Sequence, residues 1–240
     1  MKSGIVDNHI KILSTRPIND EIRHNAATQG IDIRVLSFID TAPIQSIEVD
    51  EEVEQASQLQ TVVVFTSMAA VEAVTEILFG LVPEWQVYCI GFTTRNLVAA
   101  YFGEDNIAGT ADSAANLAKK IIKDANSDEV YFFCGDQRRE ELPAILSGAG
   151  IIVNEIVVYE TIATPHKLTG TFAGVLFYSP SAVDSFFQHN NLGDHALAFA
   201  IGTTTATAIE KYCANKIIIA DEPGKEQLVA KAIEILGNKI

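Results

Sequence analysis

The stretch Ile201-Gly202-Thr203-Thr204-Thr205-Ala206 decides how this chain is read. An apolar run from Ala196 to Ile201 stops at a glycine, and three hydroxyl residues then open a helical pattern that continues through Lys211. The arrangement predicts a strand that delivers the chain through a tight turn into a helix N-terminus, where unpaired N–H groups and hydroxyls attract anions. The same phrase occurs upstream as Ile90-Gly91-Phe92-Thr93-Thr94.

Outward from these two phrases, short apolar runs alternate with amphipathic segments, the pattern of an α/β protein with parallel sheets. Lys11–Ser14, Ile33–Ile39, Thr61–Thr66, Gln86–Ile90, Val130–Cys134, Ile151–Tyr159 and Gly174–Tyr178 read as strands. Pro17–Gln29, Met68–Phe79, Thr93–Phe102, Ser113–Lys123, Arg138–Ser147 and Ser181–His189 read as helices. Residues 41–60, acidic around Pro43, read as a loop with a helical turn at most. The order then repeats. Phe65-Thr66-Ser67 lies 112 positions before Phe177-Tyr178-Ser179, Gly91 lies 111 before Gly202, and Gly30-Ile31 lies 120 before Gly150-Ile151. Two similar five-stranded, flavodoxin-like units are expected, and the repeat alone would divide the chain near residue 125.

With 240 residues, 48% of them apolar, the chain has material for a sizeable core. Its formal charge of −14 argues against nucleic acid and anionic membranes as partners but leaves an anionic small molecule open. No apolar run approaches the ~20 residues of a membrane span, and Met1–Ile10 has no apolar signal core, so a cytoplasmic protein is expected. Cys89, Cys134 and Cys213 are far apart and sit in or beside apolar runs, which suits buried reduced thiols better than a disulfide or metal site. Dinucleotide, phosphate-loop and nucleophile-elbow motifs are missing, and His9, His24, His166, His189 and His195 lack metal-ligand spacing. No cofactor and no metal are expected.

In doubly wound sheets ligands bind beyond the carboxyl ends of the strands. Here those ends carry Ser14-Thr15-Arg16, Thr66-Ser67, Thr93-Thr94, Asp112-Ser113, Ser179 with Ser181, and Thr203-Thr204-Thr205. Each alone is explained as an ordinary helix cap worth about 1 kcal/mol. Together they describe a surface rich in donors and poor in fixed charge, suited to a polycarboxylate. Arg138 and Arg139, read at a helix start, oppose the helix dipole; pairing with Glu140 or Glu141 and carboxylate binding both remain open. Tyr159 ends a strand, as a half-buried anchor or as a proton donor.

The order of Leu13-Ser14-Thr15-Arg16-Pro17, Phe65-Thr66-Ser67, Cys134-Gly135 through Arg139 to Pro143, Val157-Val158-Tyr159-Glu160-Thr161, Phe177-Tyr178-Ser179-Pro180-Ser181, and Ile201-Gly202 with Thr204 resembles the uroporphyrinogen-III synthase family. The resemblance implies two α/β domains joined by a two-stranded linker, bilobed with a central cleft, one domain being residues 1–38 plus 166–240 and the other 39–165. It also implies a cofactor-free, monomeric enzyme that closes hydroxymethylbilane, a linear tetrapyrrole with eight carboxylates, to uroporphyrinogen III with inversion of ring D and loss of water. Transient contact with hydroxymethylbilane synthase is an implied partner interaction. Tyr159 matches the residue that helps the hydroxyl depart. Arg16, Ser67, Thr94, Ser113, Arg138, Arg139, Ser179 and Thr204 are the expected substrate-binding residues. The chain departs from the family at Met68 and Ala69, where many relatives have Pro and Arg, and at Thr203, where Pro is common. A non-catalytic tetrapyrrole or anion sensor, and more distantly a periplasmic-type solute binder, are the alternative functions.

Overall fold

The structure, a computed structural model, describes residues 10–222 and 224–237. His9 and all but the last residue of the stretch read for a leader lie outside the described residues. The chain divides into two compact units, one of Met1–Asp40 with Ile162–Ile240 and one of Thr41–Thr161.

In the first unit β1 (Ile10–Ser14), α1 (Asp20–Thr28) and β2 (Ile31–Val35) combine with the C-terminal elements. These are β9 (Gly174–Phe177), α7 (Pro180–Phe187), β10 (Leu197–Ala200), α8 (Thr203–Glu210), β11 (Ile217–Ile219) and α9 (Lys225–Gly237). The sheet order is β11-β10-β9-β1-β2, with every pair parallel. Alternate residues serve opposite faces, as a pleated strand buried on both sides requires. Ile12, Leu176 and Phe199 pack with α1 and α9, whereas Leu13, Val175 and Ala198 pack with α7 and α8.

The second unit follows β3 (Ile39–Pro43) with α2 (Ile47–Ser57), β4 (Val62–Phe65), α3 (Met68–Leu78), β5 (Gln86–Ile90) and α4 (Phe92–Phe102). It continues through β6 (Ile107–Ala111), α5 (Ala114–Asp124), β7 (Glu129–Gly135), α6 (Glu141–Gly148) and β8 (Ile152–Ala163). The order is β3-β8-β7-β4-β5-β6, parallel from β8 to β6. Hydrogen bonds from Ile44 N to Val158 O and from Thr164 N to Phe38 O show that β3 runs against β8. One face is covered by α2, α3 and α4, the other by α5 and α6.

Several expectations are corrected. The second sheet has six strands, because the run expected as one strand over Ile33–Ile39 breaks at Val35 and a new strand starts at Ile39. Helix α1 starts at Asp20, where Asn19 Oδ1 accepts from Glu21 N at 2.8 Å, and Pro17 lies outside it. The acidic segment 41–60 contains an 11-residue helix, α2, because Val49, Val53 and Ala56 recur on one side and bury there while its carboxylates cover the rest. Helix α6 starts at Glu141, so Arg138 and Arg139 lie ahead of its first turn and not within it, and Arg138 is paired with carboxylates there.

No helix among the described residues is long and apolar enough to cross a membrane. Cys89 and Cys134 are buried, and burial pushes both thiols up to about 11; Cys213 is half-buried. The second unit is pinned by Trp85, the chain's single tryptophan, which is 2% exposed. Its Nε1 donates to Ala56 O at 2.9 Å, and its ring packs on Phe102 and Phe133. Trp85→Phe is expected to cost about 2 kcal/mol, roughly half from the lost hydrogen bond and half from the void. Urea unfolding at neutral pH measures it.

Candidate functional site at the carboxyl edges of the sheets

Parallel strands leave the sheet at one edge, so each unit gathers the turns that follow its parallel strands on a single side, and only the turn after the antiparallel β3 lies opposite. In the first unit β1 ends at Ser14 and is followed by Thr15, both fully buried. Ser14 Oγ donates to Arg16 O at 2.7 Å and lies 3.1 Å from the Tyr178 hydroxyl; Thr15 Oγ1 donates to Leu176 O at 2.8 Å. Burial pushes the Tyr178 phenol up to about 12, against the opposing effect of Ser14, so it stays protonated. These hydroxyls therefore build the turn and are not offered outward. Arg16 follows, half-buried. Lys225, at the start of α9, has its pKa lowered by desolvation and further by the charge of Arg16.

The helices opening on these edges are of two kinds. Ser67, Ser113 and Ser179 are side-chain caps: their Oγ atoms accept from Ala70 N at 3.3 Å, Asn116 N at 3.3 Å and Ala182 N at 3.2 Å. Each hydroxyl keeps a proton to donate, and that of Ser179 lies 3.1 Å from Ser181 Oγ. Gly91 and Gly202, by contrast, cap α4 and α8 without any side-chain hydrogen bond. The first-turn amides of those two helices are thus left for an outside acceptor, as are those of α6, whose N-cap Glu140 makes no side-chain hydrogen bond either. Thr204 and Thr203 are exposed on the first turn of α8, and Thr205 turns inward at 3% exposure. On α4 the inward residue is Thr94, 5% exposed, with Thr93 open beside it. Phe92 is 77% exposed at the mouth of a cavity of about 630 Å³ lined also by Gly91, Arg95, Thr110 and Asp112.

Tyr159 owes its position to a β-bulge. Cys134 pairs with Val157 but Gly135 pairs with Tyr159, so β8 carries one extra residue there. Without the bulge, alternation would put Tyr159 on the opposite face from Ile156 and Val158; with it, Tyr159 packs against the same cluster as they do. Its ring lies across Gly135, where an added Cβ would stand 2.7 Å from the Tyr159 hydroxyl. Just beyond, Asp136 Oδ1 accepts from Thr161 N at 2.9 Å and Asp136 N donates to Tyr159 O at 3.1 Å. Arg138 is fixed by carboxylates, pairing through Nε with Glu155 and through a terminal nitrogen with Glu140 at 2.5 Å. Arg139 is exposed and forms no ion pair among the described residues.

The comparisons with known proteins fit this geometry. A family model described as uroporphyrinogen-III synthase HemD matches residues 20–230. The chain belongs to the uroporphyrinogen-III synthase family. The uroporphyrinogen-III synthase of Saccharomyces cerevisiae is 26% identical, the match covering 72% of this chain and 75% of the yeast protein. The crystal structure of the Helicobacter pylori uroporphyrinogen-III synthetase matches with a TM-score of 0.64 at 16% identity, over 94% of this chain and 99% of that one. A mutant uroporphyrinogen III synthase from Thermus thermophilus matches at 0.54 and 14% identity, over 96% and 100%. At these identities the two structures speak for the α/β fold alone.

For this member of the uroporphyrinogen-III synthase family, the carboxyl edge of the second unit collects Ser67, Ser113, Arg138 and Tyr159, and that of the first collects Arg16, Ser179 and Thr204. Sequence reasoning missed Phe92, Gly135 and Lys225. Phe92 stood inside a quoted phrase whose hydroxyls drew attention away from it. Gly135 carries no local signal, since the approach of Tyr159 comes from a strand formed some 20 residues later.

The Asp136 clasp has a pH signature. Burial pushes its carboxyl up, but hydrogen bonds from Gln137 and Thr161 outweigh this and hold it below the usual range. The stability it contributes is therefore complete above the unfolded carboxylate pKa of about 3.9 and disappears as pH falls through the lower folded value. Asp136→Asn is expected to lower the melting temperature at neutral pH, the gap to the parent closing in strongly acid solution; thermal melts across pH 2–7 read this.

Proposed function

We propose that this chain converts hydroxymethylbilane to uroporphyrinogen III, acting as a cyclising lyase that releases water and inverts the last pyrrole ring without a cofactor. The observation that carries this reading is the pair of glycine-opened helices α4 and α8, whose unoccupied first-turn amides suit carboxylates, in a chain of the uroporphyrinogen-III synthase family.

The linear substrate closes unaided to the uninverted isomer, so the enzyme's task is to favour attack by the substituted α-carbon of the terminal ring. That gives a spiro intermediate, which fragments and recloses. The main contribution is orientation, since holding reacting atoms together replaces lost freedom that would otherwise raise the barrier. Carboxylates of the substrate accept from the amides of Thr203, Thr204 and Thr93 and from the hydroxyls of Ser67, Ser113 and Ser179. Arg16 and Arg139 supply charge, and Arg138, already held by Glu155 and Glu140, keeps the Tyr159 turn in shape. Phe92 offers its face to a pyrrole ring.

Tyr159 donates its phenolic proton to the departing hydroxyl, which leaves as water. The proton returns when the closed ring regains aromaticity. Its removal is expected to slow turnover about 10²-fold, the low end of general-acid contributions. Tyr159→Phe keeps the ring on Gly135 and so keeps the fold. Gly135→Ala keeps the hydroxyl but swings the ring aside, which a side-chain tip does at small cost. Both variants are expected to melt close to the parent and to lose turnover alike in a coupled assay that separates isomers I and III. Normal rates in both would remove Tyr159 from the reaction. Isomer I at the spontaneous rate from the parent protein would overturn the enzymatic reading and favour a sensor.

A further inference from the structure

The second unit carries a feature that tetrapyrrole chemistry does not use. Between residues 35 and 94 the chain has no lysine, arginine or histidine. Helix α2 bears five carboxylates and α3 two more, and Asp50, Glu54 and Glu76 form no ion pair among the described residues. Between these helices lies an open groove of about 380 Å³. Its apolar lining is Ile44, Ile47, Ala73, Ile77 and Phe79, with Ile47 and Phe79 the most exposed of them; Asp50, Glu54 and Glu76 line it with acids.

Phe79 is the unusual member. It is 94% exposed and caps α3 at φ +48°, the single non-glycine residue with positive φ among the described residues. The left-handed conformation is disfavoured for a bulky side chain, and a glycine here would relieve the strain and remove an exposed ring. An exposed phenylalanine held in this conformation at a cost in stability points to contact with something outside the unit. Exposed Ile47 at 74% extends the same patch. The groove lies toward the far end of α3 from Ser67, and 11 residues of helix span about 16 Å.

We propose that the α2–α3 groove docks a helix of a partner protein that presents apolar anchors flanked by lysine or arginine. Charge complementarity selects this occupant: carboxylates without ion pairs, set among apolar side chains in one groove, match a basic amphipathic helix, whose apolar anchors enter the groove while its cations meet the acids. A second copy of this chain carries a net charge of −14 and is a poor electrostatic match for the same acids.

The test uses the full chain and two synthetic 18-residue helical peptides with one common leucine and phenylalanine face, one with lysine and arginine on its other face and one with glutamate. The basic peptide is expected to bind, to weaken in high salt as screened ion pairs do, and to shift the NMR signals of Ile47, Ala73 and Phe79; the acidic twin is not. Phe79→Gly and the Glu54→Lys/Glu76→Lys pair are each expected to weaken it about tenfold with isomer III formation unchanged, as central anchors and their surrounding charges do. Phe79→Gly is also expected to melt higher than the parent, which separates loss of docking from loss of fold. Binding that ignores these variants, or no groove shifts with the basic peptide, overturns the proposal. So does self-association of the parent chain that Phe79→Gly abolishes, which would place a second copy in the groove.

Discussion

Every functional feature depends on where backbone amides are left without acceptors. An α-helix leaves its first N–H groups unpaired, and a parallel sheet turns the starts of its following helices to one edge. Serine at positions 67, 113 and 179 satisfies one amide of its own helix, whereas glycine at 91 and 202 satisfies none. Both glycines follow buried strands, so the uncapped amides are held on a rigid base. The donors are fixed before any ligand arrives, and no lysine has to be immobilised to supply them.

A second constraint governs Tyr159. Strands present side chains alternately, and a tyrosine at position 159 of β8 in regular register would face α5 and α6. The extra residue opposite Gly135 turns it toward the cluster beneath α2, α3 and α4. Gly135 completes the device by offering no Cβ to the ring, and the Asp136 clasp ties the two strand ends together. The cluster of Arg138 with Glu155 and Glu140 belongs to the same support. Of the two readings the sequence left open for Arg138, local neutralisation is the one the structure shows, with Glu155 added to Glu140.

The two units also illustrate how a repeat can be interleaved. In the first, strands follow the order β2-β1-β9-β10-β11; in the second, the corresponding order is β8-β7-β4-β5-β6. The repeat is real in both type and spacing, but strands β1 and β2 complete the sheet of β9–β11, and β7 and β8 complete that of β4–β6. Chain-neighbouring copies are therefore not the paired ones.

The alternation of elements, the serine caps, the glycine openings of α4 and α8 and the interior of both sheets were all legible from residues alone, because apolar periodicity and helix-end chemistry act over a few neighbouring positions. Helix α2 was not, since its buried stripe of Val49, Val53 and Ala56 is thin and its acids imitate a solvated loop. Nor could Thr94 be told from Thr93 until the packing of α4 turned one inward and left the other open. Strand partnership, the side to which the bulge throws Tyr159, and the engagement of Arg138 by Glu155 were settled only in three dimensions. The physical reason is that equally apolar parallel strands from either copy could pair by local rules, and choices between them are made by contacts distant in sequence.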